Sequence, residues 1–243
     1  MCPWWWLETG REMEEERRSP DGAELTSVAP SGILRTHGIV LAGAYPKAHS
    51  PLDRLSLRPL LPVAQQPLIT YALRWMQGGG VTRATICTNS AARAIRASLD
   101  GSTLGMDLDY VEDWTPRGAA GCLRDAGVAT DARTFVVADA TTVPVVDLGG
   151  LLEAHWASRA AVTVVASHDR RSTGDETARM RPSGIYVMDR RVLAQIAEEG
   201  FVDIKERLLP SLYRAGENIA TYAARDVSPR VFDTETYLAL NQW

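Results

Sequence analysis

The chain has few of the residues that disulfide frameworks and zinc sites require. It contains three cysteines and four histidines among 243 residues. Cys2, Cys87 and Cys122 are far apart in sequence, form no C-x-x-C pair and cannot all pair within one chain. The histidines lack zinc-ligand spacing, so we expect each to be a packing or surface residue. A reducing compartment is the simplest interpretation, and we predict a cytoplasmic location.

A long apolar run and an excess of positive charge are also missing. No apolar segment approaches the roughly 20 residues that cross a bilayer. The start of the chain lacks the basic and apolar regions of a secretory signal. The formal net charge is -4, whereas a broad contact with nucleic-acid phosphates needs clustered lysine and arginine. We therefore predict neither a membrane nor a nucleic acid as partner.

The first 36 residues differ in character from the rest of the chain. Trp4, Trp5 and Trp6 are followed by mixed charges and by a linker with proline, serine and glycine. Such a segment has too little periodic apolar surface to fold alone. We predict a disordered leader over residues 1–36 and a folded domain over residues 37–243. Alternatively, the tryptophans anchor the chain to a membrane interface or a partner groove, or translation starts later, at Met13.

After the leader, apolar runs of strand length alternate with helical patterns. The predicted strands are "HGIVLAG", "VTRATICTNS", "TFVVADA", "AVTVVASH", "SGIYVMD" and "NIATYAA". The predicted helices are "PLITYALRWMQGGG", "SAARAIRASLD", "RGAAGCLRDAGVA", residues 203–214 and "TETYLALNQ". This alternation is typical of α/β proteins with a mainly parallel sheet. Ligands bind such sheets beyond the carboxyl ends of the strands, so the ends of "HGIVLAG" and "TFVVADA" are the first candidates for a site.

The order of these segments resembles the sugar-1-phosphate nucleotidyltransferases, the pyrophosphorylases that make NDP-sugars. The segments that carry the likeness are "IVLAG", "RPLLPVAQQPLITYAL", "PRGAAGCL", "FVVADA", "SGIYVMD" and "FDTETYLAL". The likeness implies a Rossmann-like, three-layer nucleotidyltransferase fold with a mixed, mainly parallel sheet. It also implies that a hexose-1-phosphate attacks the α-phosphorus of an NTP and displaces pyrophosphate, with help from Mg²⁺. The implied partners are therefore an NTP and a sugar-1-phosphate.

The phosphate-binding loop departs from the family pattern, which is roughly G-G-x-G-T-R-L. Gly43 is kept, but Ala44, Pro46, Lys47 and Ala48 replace the second glycine, the third glycine, the threonine and the arginine. Pro46 removes an amide donor and fixes φ, so the loop cannot wrap phosphates as a glycine turn does. The arginine is lost as a cation, and one such transition-state contact is commonly worth about 3 kcal/mol. We therefore expect reduced activity.

The resemblance places the remaining candidates around this loop. Leu41, Ala42 and Gly43 are the nucleotide-binding positions at the end of the first strand. Lys47 is a catalytic candidate because it could replace the missing arginine charge. Arg58 is a second one, because it stands where the family has a lysine, although arginine lacks the compact geometry of an ammonium. For both residues the alternative is a solvated surface charge.

The metal prediction depends on two aspartates. Asp139 follows "TFVVA" at the position of the family's metal-binding aspartate; alternatively, it caps a turn. The family's second aspartate, in W-x-D-I-G-T, has no direct counterpart, because Arg230 or Val231 falls at its position. Asp233 would reach the metal only after a register shift of two or three residues. We predict Mg²⁺ at Asp139 and Asp233 on this basis.

Two glycines complete the set of site residues that the resemblance implies. Gly118, in "PRGAAGCL", is predicted to let the backbone approach the nucleotide; alternatively, it only starts a helix. Gly184, in "SGIYV", is predicted to contact the sugar. Two hypotheses follow: a transferase of reduced activity, or an inactive relative that binds nucleotide or regulates an active paralogue. A homo-oligomer and a hetero-oligomer with such a paralogue both stay open.

Overall fold

The computed structural model of the chain describes residues 33–43, 51–52, 56–89, 91–100, 104–115, 117–168 and 180–242. These ranges contain nine strands: β1 Thr36–Leu41, β2 Pro62–Val63, β3 Gln66–Pro67, β4 Arg83–Thr88, β5 Asp107–Glu112, β6 Thr134–Asp139, β7 Val162–His168, β8 Met180–Asp189 and β9 Ile219–Ala224. They contain six α-helices: α1 Ile69–Gly78, α2 Ala92–Leu99, α3 Gly118–Val128, α4 Leu148–Ser158, α5 Leu209–Arg214 and α6 Thr234–Asn241. A π-helical turn, Ile204–Leu208, leads directly into α5.

Seven of the strands form one mixed sheet in the order β5-β4-β1-β6-β8-β7-β9, and β2 and β3 form a separate hairpin. β1 lies parallel to β4 and β6, β4 lies parallel to β5, and β7 lies parallel to β9. Only β8 runs antiparallel to its neighbours in this sheet, β6 and β7. The sequence prediction of an α/β fold with a mixed, mainly parallel sheet is therefore confirmed.

The central strand is apolar because both faces of the sheet are covered. All six residues of β1 are buried, as expected for a strand with helices on both sides. Successive side chains point to opposite faces, so Val40 packs with Ile69 and Leu151 in one core and Ile39 packs with Leu123 in the other. The two cores hold β1 in place and so determine where its carboxyl end lies. The candidate site is at this end of the sheet.

Two of the histidines are packing residues, as the sequence indicated. His37 in β1 contacts the hydroxyl of Thr85 through Nε2 at 2.8 Å, and His155 in α4 contacts that of Thr163 through Nδ1 at 2.8 Å. Both imidazoles are buried. In the part of the chain that the structure describes, no helix is long and apolar enough to span a bilayer.

The burial of His155 predicts a pH-dependent loss of stability. Burial is the main cause that lowers its pKa from 6.5 to about 4. Between these values the unfolded chain binds a proton that the folded chain does not, so stability falls as the pH falls, by at most about 1.4 kcal/mol per pH unit. Urea unfolding at pH 7 and pH 5 should show a smaller pH effect for His155→Gln than for the wild type. Equal pH effects in the two proteins would contradict this assignment.

Candidate active site

The carboxyl ends of β1, β4 and β6 meet at one edge of the sheet. Leu41, the last residue of β1, is in register with Cys87 of β4 and with Asp139 of β6. The Ala42 N–H donates to the Cys87 carbonyl at 2.7 Å, and the Ala140 N–H donates to the Leu41 carbonyl at 3.0 Å. The positions predicted to bind nucleotide therefore lie beside the aspartate predicted to bind metal.

Gly43 packs closely against the residue that follows β4. Asn89 Nδ2 donates to the Gly43 carbonyl at 2.7 Å. A Cβ on Gly43 would lie 2.6 Å from Asn89 Oδ1 and 2.7 Å from the Asn89 nitrogen. Packing within the protein is thus sufficient to require glycine here. The loop that follows, with the catalytic candidate Lys47, lies outside the described residues.

The carboxylate of Asp139 is held by two neighbours. Its Oδ2 accepts a hydrogen bond from Arg230 Nη2 in an ion pair. Its Oδ1 accepts hydrogen bonds from the Thr141 N–H at 2.9 Å and the Thr141 hydroxyl at 2.6 Å. The side chains of Asp139 and Arg230 are only 14% and 21% exposed. Asp139 therefore stabilises a turn, and its charge is balanced by arginine.

The C-terminal part of the chain brings Arg230 to this position. Residues 229–231 run antiparallel to residues 141–143, with main-chain hydrogen bonds of 2.8 and 3.0 Å. This pairing directs the Arg230 side chain toward Asp139 and buries Val231 in a small apolar cluster. Arg230 and Val231 were the two residues considered for the second metal-ligand position. The structure places Arg230 against Asp139.

Gly184 lies against this ion pair. It sits in β8 with φ of +83°, and a Cβ there would lie 3.4 Å from Arg230 Nη1, 3.4 Å from the Asp139 Cβ and 3.5 Å from the Thr142 hydroxyl. These are ordinary contact distances, so the positive φ is the stronger reason for glycine. A sugar contact at Gly184 stays a prediction, although the residue lies at the expected edge of the sheet.

The space beside Gly118 is filled by another segment of the same chain. Gly118 has φ of +77°, and a Cβ there would lie 2.6 Å from the Val202 carbonyl oxygen and 3.1 Å from Phe201 Cε2. The Ala120 N–H donates to the Val202 carbonyl at 3.0 Å. Gly118 is also the first residue of α3, which agrees with the alternative of a helix start. Its contact with nucleotide stays a prediction.

Arg58 and Asp233 each belong to a local structure of their own. Arg58 is 4% exposed and begins a short 3-10 turn, so the alternative of a solvated surface charge is wrong for it. Asp233 is exposed and is the N-cap of α6. Its Oδ1 accepts hydrogen bonds from the Thr236 N–H at 2.9 Å and the Thr236 hydroxyl at 2.8 Å. These bonds, with a smaller contribution from the Arg58 cation, lower the pKa of Asp233.

This arrangement does not fit a magnesium ion held by Asp139 and Asp233. Mg²⁺ takes six oxygen ligands in a nearly ideal octahedron and usually binds protein through one or two carboxylates. Here the Asp139 oxygens are engaged by a guanidinium and a threonine, and Asp233 caps a helix. Over the described ranges, no cluster of three or more histidine, cysteine, aspartate or glutamate residues is placed to hold a metal.

Sequence reasoning missed Lys205, which lies near the ion pair. Its pKa is lowered mainly by burial and further by the Arg230 guanidinium, while the carboxylates of Asp203 and Asp139 raise it. Its side chain is therefore within electrostatic reach of the Asp139–Arg230 pair. No motif marked this residue, since "DIKERLL" looks like an ordinary helix start.

The mixed, mainly parallel sheet and its helices make this an α/β protein. Comparison with known sequences defines its family. Residues 37–174 match the nucleotidyl transferase family. Because this match covers more than half of the chain, the protein belongs to that family, and the expected likeness to sugar-1-phosphate nucleotidyltransferases is confirmed.

Characterised relatives in this family act on sugar phosphates according to their names. A mannose-1-phosphate guanylyltransferase of Mycobacterium tuberculosis is 26% identical over 208 residues, which cover 76% of this chain and 58% of that protein. A glucose-1-phosphate thymidylyltransferase of Streptomyces griseus is 31% identical over 86 residues, 35% of this chain and 24% of that protein. The chain thus spans less than two thirds of the length of either relative.

Solved structures confirm the fold. A Bacillus anthracis protein assigned as a glucose-1-phosphate thymidylyltransferase, in complex with a sucrose, has a TM-score of 0.72 and 18% identity, covering 85% of this chain and 94% of that one. HddC from Yersinia pseudotuberculosis, complexed with GMP-PN, has a TM-score of 0.69 and 15% identity, covering 85% and 98%. At this level of identity the likeness concerns the backbone fold alone.

The backbone conformation of Gly184 predicts a cost for any side chain. Gly184→Ala should lose roughly 1–3 kcal/mol of unfolding free energy, because alanine is strained at positive φ. Gly200→Ala is the matched control, since Gly200 has φ of +82° and no neighbour near its Cβ position. Urea unfolding should give similar losses for both variants. An unchanged Gly184→Ala would contradict the assigned conformation, and a loss several times that of the control would contradict the ordinary contact distances.

The capping role of Asp233 predicts how its substitutions differ. Asp233→Ala should lower the melting temperature, whereas Asp233→Ser should keep most of it, because serine also caps helices. The aspartate contribution is present at neutral pH and lost as the pH falls through its lowered pKa. Thermal unfolding at pH 7 and pH 3 measures both effects. Equal melting temperatures for wild type and Asp233→Ala at pH 7 would contradict the cap.

Proposed function

We propose that the protein binds the phosphorylated ligands of its family, an NTP and a hexose-1-phosphate, and transfers the nucleotidyl group slowly or not at all. The ion pair between Asp139 and Arg230 carries this proposal. The aspartate that the family resemblance assigns to the metal is bound by an arginine of the same chain. The corresponding charge therefore comes from the protein and not from a resident ion.

Energetics support this competition between arginine and metal. Breaking a buried ion pair by removing one partner commonly costs about 3–5 kcal/mol. An ion that took Asp139 would leave Arg230 without its carboxylate, at a position where the guanidinium is only 21% exposed. The ion would also lack the family's second carboxylate ligand, because Arg230 stands at that position. Recruitment of Mg²⁺ by this edge is thus opposed by the fold.

The retained sheet edge supports ligand binding. The ends of β1 and β6 are in register, and loops at such an edge are where α/β sheets bind ligands. The names of the relatives suggest GTP or dTTP with mannose-1-phosphate or glucose-1-phosphate as the first ligands to try. Regulation of an active paralogue and a cytoplasmic location stay predictions from the sequence.

Of the two possibilities, slow transfer and no transfer, the buried cation at Arg58 favours slow transfer as the candidate. Arg58 stands where the family resemblance expects a lysine, and it is almost fully buried. A guanidinium in a water-excluded position stabilises developing negative charge more strongly than one in water. Residual turnover that disappears in Arg58→Gln and in Asp139→Ala would support this candidate.

The test compares turnover with binding in the same protein. Pyrophosphate release is measured with GTP and dTTP, each with mannose-1-phosphate and glucose-1-phosphate, in the presence of Mg²⁺. We expect rates at least about 100-fold below an active family enzyme assayed alongside, because a lost transition-state contact alone costs about that factor. Calorimetry should still detect binding of at least one of the four ligands. Turnover comparable to the reference enzyme would contradict the proposal.

A further inference from the structure

The two edges of the seven-stranded sheet differ in how they are protected. β5, at one edge, carries Asp107, Asp109 and Glu112, and charges of this kind commonly keep an edge strand from pairing with another chain. β9, at the other edge, reads I-A-T-Y-A-A and has neither a charged residue nor a proline. Among the strands that the structure describes, none pairs with the outer side of β9. Such an edge is a template for a further strand.

The hydrogen bonding of β9 shows which of its backbone groups face outward. The N–H of Ala161, just before β7, donates to the Asn218 carbonyl at 2.8 Å, so this carbonyl faces β7. β9 then stays in register with β7 along its whole length. Because the N–H and C=O groups of successive strand residues alternate in direction, Ile219, Thr221 and Ala223 direct theirs away from β7. In the described part of the chain these three N–H groups have no acceptor.

Helices cover both faces of β9 and leave its edge. Tyr222 packs with Leu151 of α4 in one core, and Ile219 packs with Leu212 of α5 in the other. A partner must therefore add along the edge, through main-chain hydrogen bonds, and not on a face of the strand.

The charges that flank β9 favour a second copy of the same strand as the partner. Glu217 precedes the strand and Arg225 follows it. Antiparallel self-pairing centred on Thr221 places outward-facing residues opposite one another and brings Glu217 of each copy beside Arg225 of the other. Glu217 binds Arg191 through Oε2, but its Oε1 has no hydrogen bond among the described residues, and Arg225 is exposed. The ends of the strand are thus complementary in charge to themselves.

We infer that the protein forms a two-fold dimer in which the β9 edges of two copies pair antiparallel and join the two sheets into one. Thr221 lies opposite Thr221 of the second copy, and Ile219 lies opposite Ala223, which gives about six main-chain hydrogen bonds. A two-fold pair uses this edge on both copies, so the assembly closes and does not extend into a filament. The inference goes beyond the proposed function, because it concerns assembly and needs no ligand.

Analytical ultracentrifugation of the full chain at several concentrations tests the dimer. We expect twice the mass of the chain for the wild type. Thr221→Pro removes both hydrogen bonds at the centre of the interface but none to β7, because the Thr221 N–H faces outward, where proline is tolerated in an edge strand. It should raise the dimer Kd at least about thirtyfold, as expected for two lost hydrogen bonds.

Thr221→Val is the matched control, because valine keeps the N–H and the β-branched shape. It should change the dimer Kd less than about twofold, as surface substitutions do. Circular dichroism and the melting temperature establish whether both variants are folded.

A charge variant tests the register and does not depend on proline. Arg225→Glu places two carboxylates together at each end of the paired strands, so it should weaken the dimer about threefold or more at low salt and less at high salt. Arg207→Glu reverses the same charge at an exposed residue of the π-helical turn and should change the Kd less than about twofold.

Each contrary result overturns the inference in a different way. A wild type that is monomeric at every concentration would exclude the dimer, and slow hydrogen exchange of the Thr221 amide in that monomer would assign the edge to another segment of the same chain, such as residues 1–32. A folded Thr221→Pro that dimerises like Thr221→Val would place the interface elsewhere. An Arg225→Glu variant that behaves like Arg207→Glu would exclude the antiparallel pairing.

Discussion

A carboxylate at the end of the central strands needs a positive partner, because an isolated charge that is largely shielded from water is strongly unfavourable. At Asp139 that partner is the Arg230 guanidinium. This contact joins the end of β6 to a segment almost a hundred residues later in the chain, and Gly184 packs directly against it. The main-chain pairing of residues 229–231 with residues 141–143 places the arginine, and the electrostatics of the sheet edge depend on the resulting ion pair.

At two further predicted ligand-contact positions, groups of the protein itself make the close contact. At Gly43 the close approach is made by Asn89, and at Gly118 it is made by the Val202 carbonyl. Positions where the family resemblance implies contact with nucleotide or metal are thus in contact with the chain itself. The chain keeps the fold of a nucleotidyl transferase, while some positions predicted to contact a ligand are in contact with other residues of the chain.

The sequence was sufficient for most of the fold, because buried strands are apolar runs and helices carry an apolar face. It missed β5, whose D-L-D-Y-V-E pattern includes three acidic residues, as an edge strand allows. It could not decide between Arg230 and Val231, because the antiparallel contact with residues 141–143 sets that register. Local periodicity determines elements, whereas long-range pairing determines which charges meet.

Arg230 balances the charge of Asp139, and we expect this pairing to keep a metal ion from binding the carboxylate. Titration of the protein with Mn²⁺ as a spectroscopic substitute for Mg²⁺, followed by the electron paramagnetic resonance signal of the free ion, tests it directly. We expect that the wild type binds no stoichiometric Mn²⁺ through Asp139, so that Asp139→Asn gives the same titration curve. One tightly bound Mn²⁺ per chain that is lost in Asp139→Asn would show instead that Asp139 is a metal ligand.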